Sequence, residues 1–166
     1  MTLALDEHPL GVETTSGDHV VYDLATNQAY FGAAHVEGPG LVWKLVGDPG
    51  PGAWLLRCDR VDFPPGGIAH RHVHPGPGIR RLLHGELTIV RDDSAHTYRA
   101  GESWLEDADD PVTATASATD ETAFVRVLLL PEEWRGKRTI RYLDPADEAK
   151  PKLQRATVLL EEALPR

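Results

Sequence analysis

The chain has 166 residues, 41% of them hydrophobic and 26% charged, a composition typical of one globular domain with its own core. Its 17 basic and 26 acidic residues give a formal net charge of −9, which argues against binding to nucleic acid phosphates. No apolar run approaches the roughly 20 residues that span a bilayer, and the first residues lack a basic segment followed by an apolar core. We therefore expect a cytoplasmic protein that binds neither nucleic acid nor membranes.

Glycine and proline are frequent, with 15 and 13 residues, which favours many turns and few long helices. Short apolar segments alternate with turn residues along most of the chain, a pattern typical of an all-β sandwich or barrel. Three of these segments, at 41–46, 87–90 and 124–130, are predicted to form one core. The single cysteine, Cys58, excludes an internal disulfide.

The sequence pattern divides the chain into three parts. Residues 1–18 lack periodicity and are predicted to form a loose leader, whereas residues 19–131 carry the strand-like segments of a barrel. Within the tail of residues 132–166, the Asp-Pro start at Asp144 predicts a short helix. The apolar residues 156–160 then predict a terminal strand, which either packs on its own barrel or crosses to a second subunit.

Three histidines occur at alternate positions of one strand-like segment. We expect His70, His72 and His74 to point to the same side, because successive side chains of a strand alternate between its faces. Imidazoles on one face are typical ligands of a transition metal. Residues two apart are separated by about 6.6 Å along a strand and residues four apart by about 13 Å. One ion therefore takes His70 with His72 or His72 with His74, unless water and hydrogen bonds satisfy these side chains instead.

The residues around the histidines resemble the first motif of the cupin superfamily. That motif reads glycine, five residues, His-x-His, three or four residues, glutamate, six residues, glycine. Gly66, His72, His74 and Gly85 match it without a gap, and Gly78 stands in the place of the glutamate. The resemblance implies that His72 and His74 are the pair of histidine ligands.

The second cupin motif fits the chain from Gly101 onwards in its spacing but not in its residues. Its proline, glycine, histidine and asparagine are replaced by Asp107, Asp109, Val112 and Ala116. The resemblance covers residues 41–131 and implies a small, jelly-roll-like cupin barrel, which the short helical and extended tail predicted above would follow. It also implies a homodimer, because dimers are common among cupins.

Only two of the four usual cupin metal ligands remain, so a metal site needs a further ligand from elsewhere. The candidates are His70, Glu102, Glu106 and His35. Arg80 shares the inward face of position 78 by strand parity, and a buried arginine requires an anion. Its partner is either an internal carboxylate, Asp59 or Asp62, or the carboxylate of a bound molecule.

We predict that the barrel binds a small organic, anionic molecule and acts as a metal-dependent enzyme of the oxygenase, isomerase or cyclase type. The cofactor would be a divalent iron, manganese, nickel or zinc ion. Two alternatives stay open. One is a metal-free enzyme that uses the histidines as acid and base, and the other is a non-catalytic module that binds or senses a small molecule without metal.

Overall fold

The computed structural model describes residues 2–15 and 17–165. Strands account for 56% of the residues and helices for 4%, which confirms the predicted all-β fold. No helix in these two ranges is long and apolar enough to cross a membrane.

The described part of the chain forms sixteen strands, one short helix and one 3-10 turn. The first strands are β1 (Thr2–His8), β2 (Val12–Thr14), β3 (His19–Asp23), β4 (Gln28–Phe31), β5 (Ala34–Val36) and β6 (Gly40–Val46). They are followed by β7 (Trp54–Phe63), β8 (Ile68–Val73), β9 (Gly78–His84), β10 (Glu86–Val90), β11 (Ala95–Arg99), β12 (Ser103–Glu106), β13 (Val112–Ala116) and β14 (Thr122–Pro131). The tail contains the 3-10 turn (Glu132–Trp134), β15 (Arg141–Tyr142), α1 (Pro145–Glu148) and β16 (Arg155–Ala163).

Three antiparallel sheets lie in layers. The N-terminal sheet has the strand order β1-β6-β3-β4, and β2 and β5 form a separate pair. The central sheet has the order β12-β9-β14-β7-β16, and the front sheet has the order β11-β10-β13-β8-β15. The central and front sheets enclose a core between them, and the N-terminal sheet packs on the other face of the central sheet. The predicted cupin-type barrel is thus present, with one additional layer.

Strands β7 and β14 are buried along most of their length because the central sheet is covered on both faces. Even-numbered residues of β7, such as Leu56 and Cys58, pack against the N-terminal sheet. Odd-numbered residues, such as Asp59 and Val61, face the barrel interior instead. Charged side chains on the odd-numbered face are therefore enclosed and require partners.

The prediction of a single core is wrong, because the apolar segments divide between the two faces of the central sheet. The first core joins Leu41, Trp43 and Leu45 to Val125, Val127 and Leu129. The second core joins Leu87 and Ile89 to Phe124. Alternate residues of β14 contribute to different cores, since successive side chains of a strand point to opposite faces.

The prediction of a loose leader is also wrong for residues 2–14, whereas Met1 and Ser16 lie outside the described residues. Strand β1 pairs with β6 from one end to the other, and β2 pairs with β5. Leu3 is buried in the first core and Leu5 packs beside it, so alternate residues of β1 carry the apolar face. Acidic residues interrupt this short period-two pattern in the sequence, and the strand depends on β6 for its pairing.

The C-terminal strand pairs with its own barrel, the first of the two alternatives. Strand β16 forms the edge of the central sheet beside β7. The predicted short helix is present as α1, where the Asp144 side chain accepts a hydrogen bond from the Ala146 amide at 2.9 Å. A homodimer stays a prediction.

The buried side chain of Arg57 attaches the tail to the barrel. Its Nε donates to Oε1 of Glu161 at 2.6 Å, its Nη1 to the carbonyl of Lys137 at 2.8 Å, and its Nη2 to the carbonyl of Trp134 at 2.7 Å. These bonds hold the tail at one end of the barrel interior.

Candidate functional site

The central and front sheets enclose a cavity of about 540 Å³, a volume suited to a small organic ligand. One part of its wall is apolar and largely aromatic or branched: Val61, Phe63, Leu87, Ile89, Trp104, Val112, Ala114 and Phe124. The other part is polar: Asp59, His72, His74, Arg80, Glu106 and Arg126. The cavity is therefore amphipathic, with an apolar part and a polar part. Tail residues close it on the polar side.

Neighbouring strands of the central sheet place the charged side chains in one row. Arg126 is the register partner of Asp59 on β7 and of Arg80 on β9. Its guanidinium donates to both carboxylate oxygens of Asp59, at 2.6 and 3.0 Å. Because the Asp59 carboxylate is paired with Arg126, the buried charge of Arg80 requires a different anion.

Arg80 is almost fully buried, with 1% of its surface exposed, and finds that anion in Glu106. Its Nη1 donates to the carbonyl of Gly78 at 2.6 Å. Its Nη2 lies 2.7 Å from Oε2 of Glu106, but this ion pair lacks hydrogen-bond geometry, so Nη2 has no hydrogen-bond partner among the described residues. Burial lowers the pKa of Arg80 to about 10, a shift that Glu106 opposes, and the side chain stays protonated at neutral pH.

Glu106 is the one predicted replacement carboxylate that reaches the cavity. It lies on β12 directly opposite Gly78, the position of the family glutamate. A Cβ at Gly78 would lie 2.7 Å from the carbonyl oxygen of Val127, so no side chain fits there. Burial alone would raise the pKa of Glu106. Arg80 and the indole N–H of Trp104, which donates at 2.8 Å, outweigh burial and lower the pKa below its usual value, so the carboxylate is ionised.

His72 and His74 lie side by side in the cavity wall, with ring centroids 5.0 Å apart. Nε2 of His74 accepts a hydrogen bond from Nη1 of Arg126 at 3.1 Å, so its Nδ1 carries the proton and donates to Oγ1 of Thr139 at 3.2 Å. Nδ1 of His72 donates to the carbonyl of His70 at 2.7 Å. Nε2 of His72 is therefore the acceptor nitrogen, and no residue of the described chain bonds to it. It can accept a proton or hydrogen bond from a bound molecule.

Both histidines are held neutral. Burial lowers the pKa of His72, and burial together with the nearby Arg126 and Arg80 guanidinium groups holds the pKa of His74 well below its usual value of 6.5. In the unfolded chain both side chains are free of these effects.

This difference predicts a loss of stability in acid. Because the pKa of each histidine is lower in the folded state than in the unfolded state, the unfolded chain binds protons first as the pH falls below 6.5. The free energy of unfolding should fall by about 1.4 kcal/mol per pH unit for each histidine that stays neutral when folded. The free energy of unfolding, measured with denaturant at several values between about pH 8 and pH 5, should have a shallower slope against pH in His74→Asn than in the wild type. Equal slopes would contradict the prediction.

The expectation that the three histidines share one face is wrong for His70. Strand β8 contains a bulge, because Val112 pairs with His72 but Ala114 pairs with Ala69. The extra residue reverses the alternation, so Ala69 and His72 line the cavity and His70 does not. The His70 ring lies instead beside α1, with Nδ1 3.9 Å from Oδ1 of Asp147.

Two other candidate ligands lie away from the cavity. His35 is exposed on β5, opposite Glu13 of β2. Glu102 is exposed in the turn before β12 and accepts a hydrogen bond from the amide of Arg99 at 2.7 Å. Neither side chain is among those that line the cavity.

The side chains in the cavity do not fit the predicted metal ion. The charged guanidinium of Arg126 is bonded to Nε2 of His74, and Glu106 is engaged with Arg80 and Trp104. A metal needs deprotonated donors, and here Nε2 of His72 is the imidazole nitrogen that is not bonded to another residue of the described chain. Within residues 2–15 and 17–165, no three His, Cys, Asp or Glu side chains are grouped as a metal site.

Four residues of the site were not predicted from the sequence: Arg126, Thr139, Tyr142 and Gln154. Arg126 does carry a signal, since it is one charged residue within an apolar strand whose neighbours are valines and leucines. The three tail residues carry none, because they lie far from the histidines in the sequence and reach the cavity only through the fold of the tail.

A jelly-roll of two sheets around a histidine-lined cavity defines a cupin-type barrel. Residues 59–128 match the family model described as "Cupin domain", so this segment of the chain is similar to the cupin superfamily. The matched segment contains His72, His74, Arg80, Glu106 and most of the cavity wall. It does not include the N-terminal sheet or the tail.

Parts of several solved structures align with this chain. The polyketide cyclase RemF from Streptomyces resistomycificus is 16% identical with a TM-score of 0.44, over 57% of this chain and 63% of that one. A cupin-like protein from Thermotoga maritima is 18% identical with a TM-score of 0.46, over 53% and 64%. An oxalate oxidase in complex with glycolate is 22% identical with a TM-score of 0.40, over 48% and 47%. The chain thus aligns with less than two thirds of each. Comparison with curated proteins found no match.

Proposed function

We propose that the protein binds a small organic carboxylate in the barrel cavity and that Arg80, rather than a metal ion, binds the carboxylate group. The main support is the buried guanidinium group of Arg80 in the cavity wall, whose Nη2 forms an ion pair with Glu106 at 2.7 Å but no hydrogen bond within the described chain. An oxygen of a bound carboxylate in line with an N–H of Nη2 would add a charge-assisted hydrogen bond to this group.

The charge of the cavity wall favours an anion. Each cavity carboxylate is already paired with an arginine, as in Asp59 with Arg126 and Glu106 with Arg80. Lys137 and Lys152 also line the cavity, and neither forms an ion pair with a carboxylate of the described chain. The cavity is therefore locally positive in a chain whose formal net charge is −9.

The apolar part of the cavity selects the body of the ligand. Phe63, Trp104 and Phe124 form a connected group of rings, with centroid distances of 6.2 Å for the two phenylalanines and 5.5 Å for Trp104 and Phe124. Aromatic walls favour a flat or aromatic ligand, which stacks on them or meets their edges. The proposed ligand is thus an apolar carboxylic acid with an aromatic or branched body.

This proposal corresponds to the metal-free alternatives rather than to the metal-dependent enzyme predicted from the sequence. In place of the ion, the guanidinium groups of Arg80 and Arg126 supply the positive charge beside His72 and His74. His72 adds a neutral nitrogen that can accept a proton from the bound molecule, which gives the site a base as well as an anion-binding group.

Cinnamate, an aromatic carboxylate, and its neutral amide provide a direct test. Arg80→Met alone would leave Glu106 buried without its partner, so the informative variant is Arg80→Met combined with Glu106→Gln. We expect wild-type protein to bind cinnamate more tightly than the amide in isothermal titration calorimetry. The double variant should bind cinnamate about 10- to 100-fold more weakly, the loss of about 1.5–3 kcal/mol expected for a charged hydrogen bond.

The control is Arg71→Met, since Arg71 lies partly exposed on β8, pairs with Asp92 and does not line the cavity. This variant should bind cinnamate as the wild type does. The proposal is refuted if the amide binds as tightly as cinnamate, or if the double variant retains wild-type affinity.

A further inference from the structure

One polar atom on the tail side of the same cavity lacks a hydrogen-bond partner in the described chain. Oε1 of Gln154 is buried and has no hydrogen-bond partner in the described ranges. The side chain lines the cavity from the tail, in the segment between α1 and β16. Buried amide oxygens are ordinarily hydrogen-bonded, so this atom indicates a group that the protein itself does not supply.

Tyr142 fixes the position of the Gln154 amide. Nε2 of Gln154 donates to the phenol oxygen of Tyr142 at 3.2 Å, and Tyr142 lies on β15 as the register partner of His72. The centroids of the Tyr142 and His72 rings are 6.2 Å apart. The Tyr142 ring also contacts Lys152, whose ammonium nitrogen lies 4.4 Å from the Tyr142 ring centroid. The amide is thus held near the histidines, on the side of the cavity that the tail closes.

Arg80 and Gln154 offer complementary hydrogen-bonding atoms to a ligand. Nη2 of Arg80 is a donor on the central sheet, and Oε1 of Gln154 is an acceptor on the tail. One ligand that satisfies both must carry an acceptor and, separated from it, a donor. A hydroxyl group suits the Gln154 amide best, because it donates to Oε1 and can also accept from Nε2.

We propose that the ligand is a hydroxylated apolar carboxylic acid, and that Gln154 determines specificity by hydrogen-bonding its hydroxyl group. The assignment rests on the proposed function, since the carboxylate is the group that Arg80 binds. An analogue without the hydroxyl leaves Oε1 buried and unpaired, which weakens its binding. For a neutral hydrogen bond the expected preference is about tenfold.

Four acids that differ only in the hydroxyl group test the assignment: cinnamate and 2-, 3- and 4-hydroxycinnamate. We expect wild-type protein to bind at least one of the three hydroxylated acids about tenfold more tightly than cinnamate in calorimetric titrations. Gln154→Met should remove this preference. The matched control is Gln28→Met, because Gln28 is exposed on β4 and accepts a hydrogen bond from Tyr30 at 2.8 Å, away from the cavity. This variant should keep the preference.

The outcomes separate this assignment from the proposed function. If cinnamate binds through Arg80 but no hydroxylated acid is preferred, or if Gln154→Met keeps the preference, the role of Gln154 is overturned and the carboxylate site stands. If none of the four acids binds at millimolar concentration, both proposals are overturned.

Discussion

Replacing Asp59 with alanine is expected to lower the free energy of unfolding by about 3–5 kcal/mol, because it leaves the Arg126 guanidinium charged and buried without its carboxylate. Both side chains are nearly inaccessible, with 3% of Asp59 and 8% of Arg126 exposed. Arg126 cannot turn towards Glu106 instead, since that carboxylate is engaged with Arg80 and Trp104. Denaturant unfolding monitored by fluorescence of the four tryptophans measures the change.

Asp62 provides the matched control, as an aspartate on the same strand that also pairs with an arginine. The Asp62 side chain is 44% exposed and its partner Arg60 is 24% exposed. An exposed pair contributes about 0–1 kcal/mol, so Asp62→Ala should have a small effect. Equal losses for the two alanine variants would contradict the buried pair described here.

Replacing Gly85 with alanine is also expected to lower the free energy of unfolding substantially. Gly85 is the last glycine of the motif on which the family resemblance depends. Gly85 has a φ of +78°, and a Cβ there would contact Oγ1 of Thr122 and lie 2.5 Å from the carbonyl oxygen of Glu121. Gly66, the first glycine of the motif, has a similar φ of +73° but open space around the position of a Cβ. We expect Gly66→Ala to cost about 1–3 kcal/mol from backbone strain alone, and Gly85→Ala about 1–3 kcal/mol more from overpacking.

Thermal or denaturant unfolding of the two glycine variants separates strain from overpacking, because the backbone conformation is shared and the surroundings differ. If Gly66→Ala is as destabilising as Gly85→Ala, the close approach of the Thr122 segment to Gly85 is not the cause.

The barrel was predictable because its signals are local. Turn residues separate short apolar segments, and the glycines and histidines of the first motif stand at the family's spacing. The N-terminal layer was not predictable in the same way. Strand β1 shows only Leu3 and Leu5 on its apolar face, and its stability depends on pairing with β6, which is about forty residues away in the sequence.

The candidate site was predicted in part for a similar reason. Strand parity predicts that Arg80 faces inward, as the structure shows, and Glu106 was among the candidate carboxylates. Parity fails at His70, because a bulge inserts one residue and the sequence does not show where a strand is bulged. The contact of Arg126 with His74 joins residues 52 positions apart, and no local pattern reports it.

A crystal structure of the protein grown with cinnamate and Zn²⁺ present together tests the central interpretation most directly, since anomalous scattering locates the metal and difference density locates the acid. We expect a carboxylate oxygen about 2.7–3.2 Å from Nη2 of Arg80, with Arg126 still bonded to Nε2 of His74 and no zinc between the histidines. Zinc coordinated by both His72 and His74, with Arg126 displaced, would contradict it.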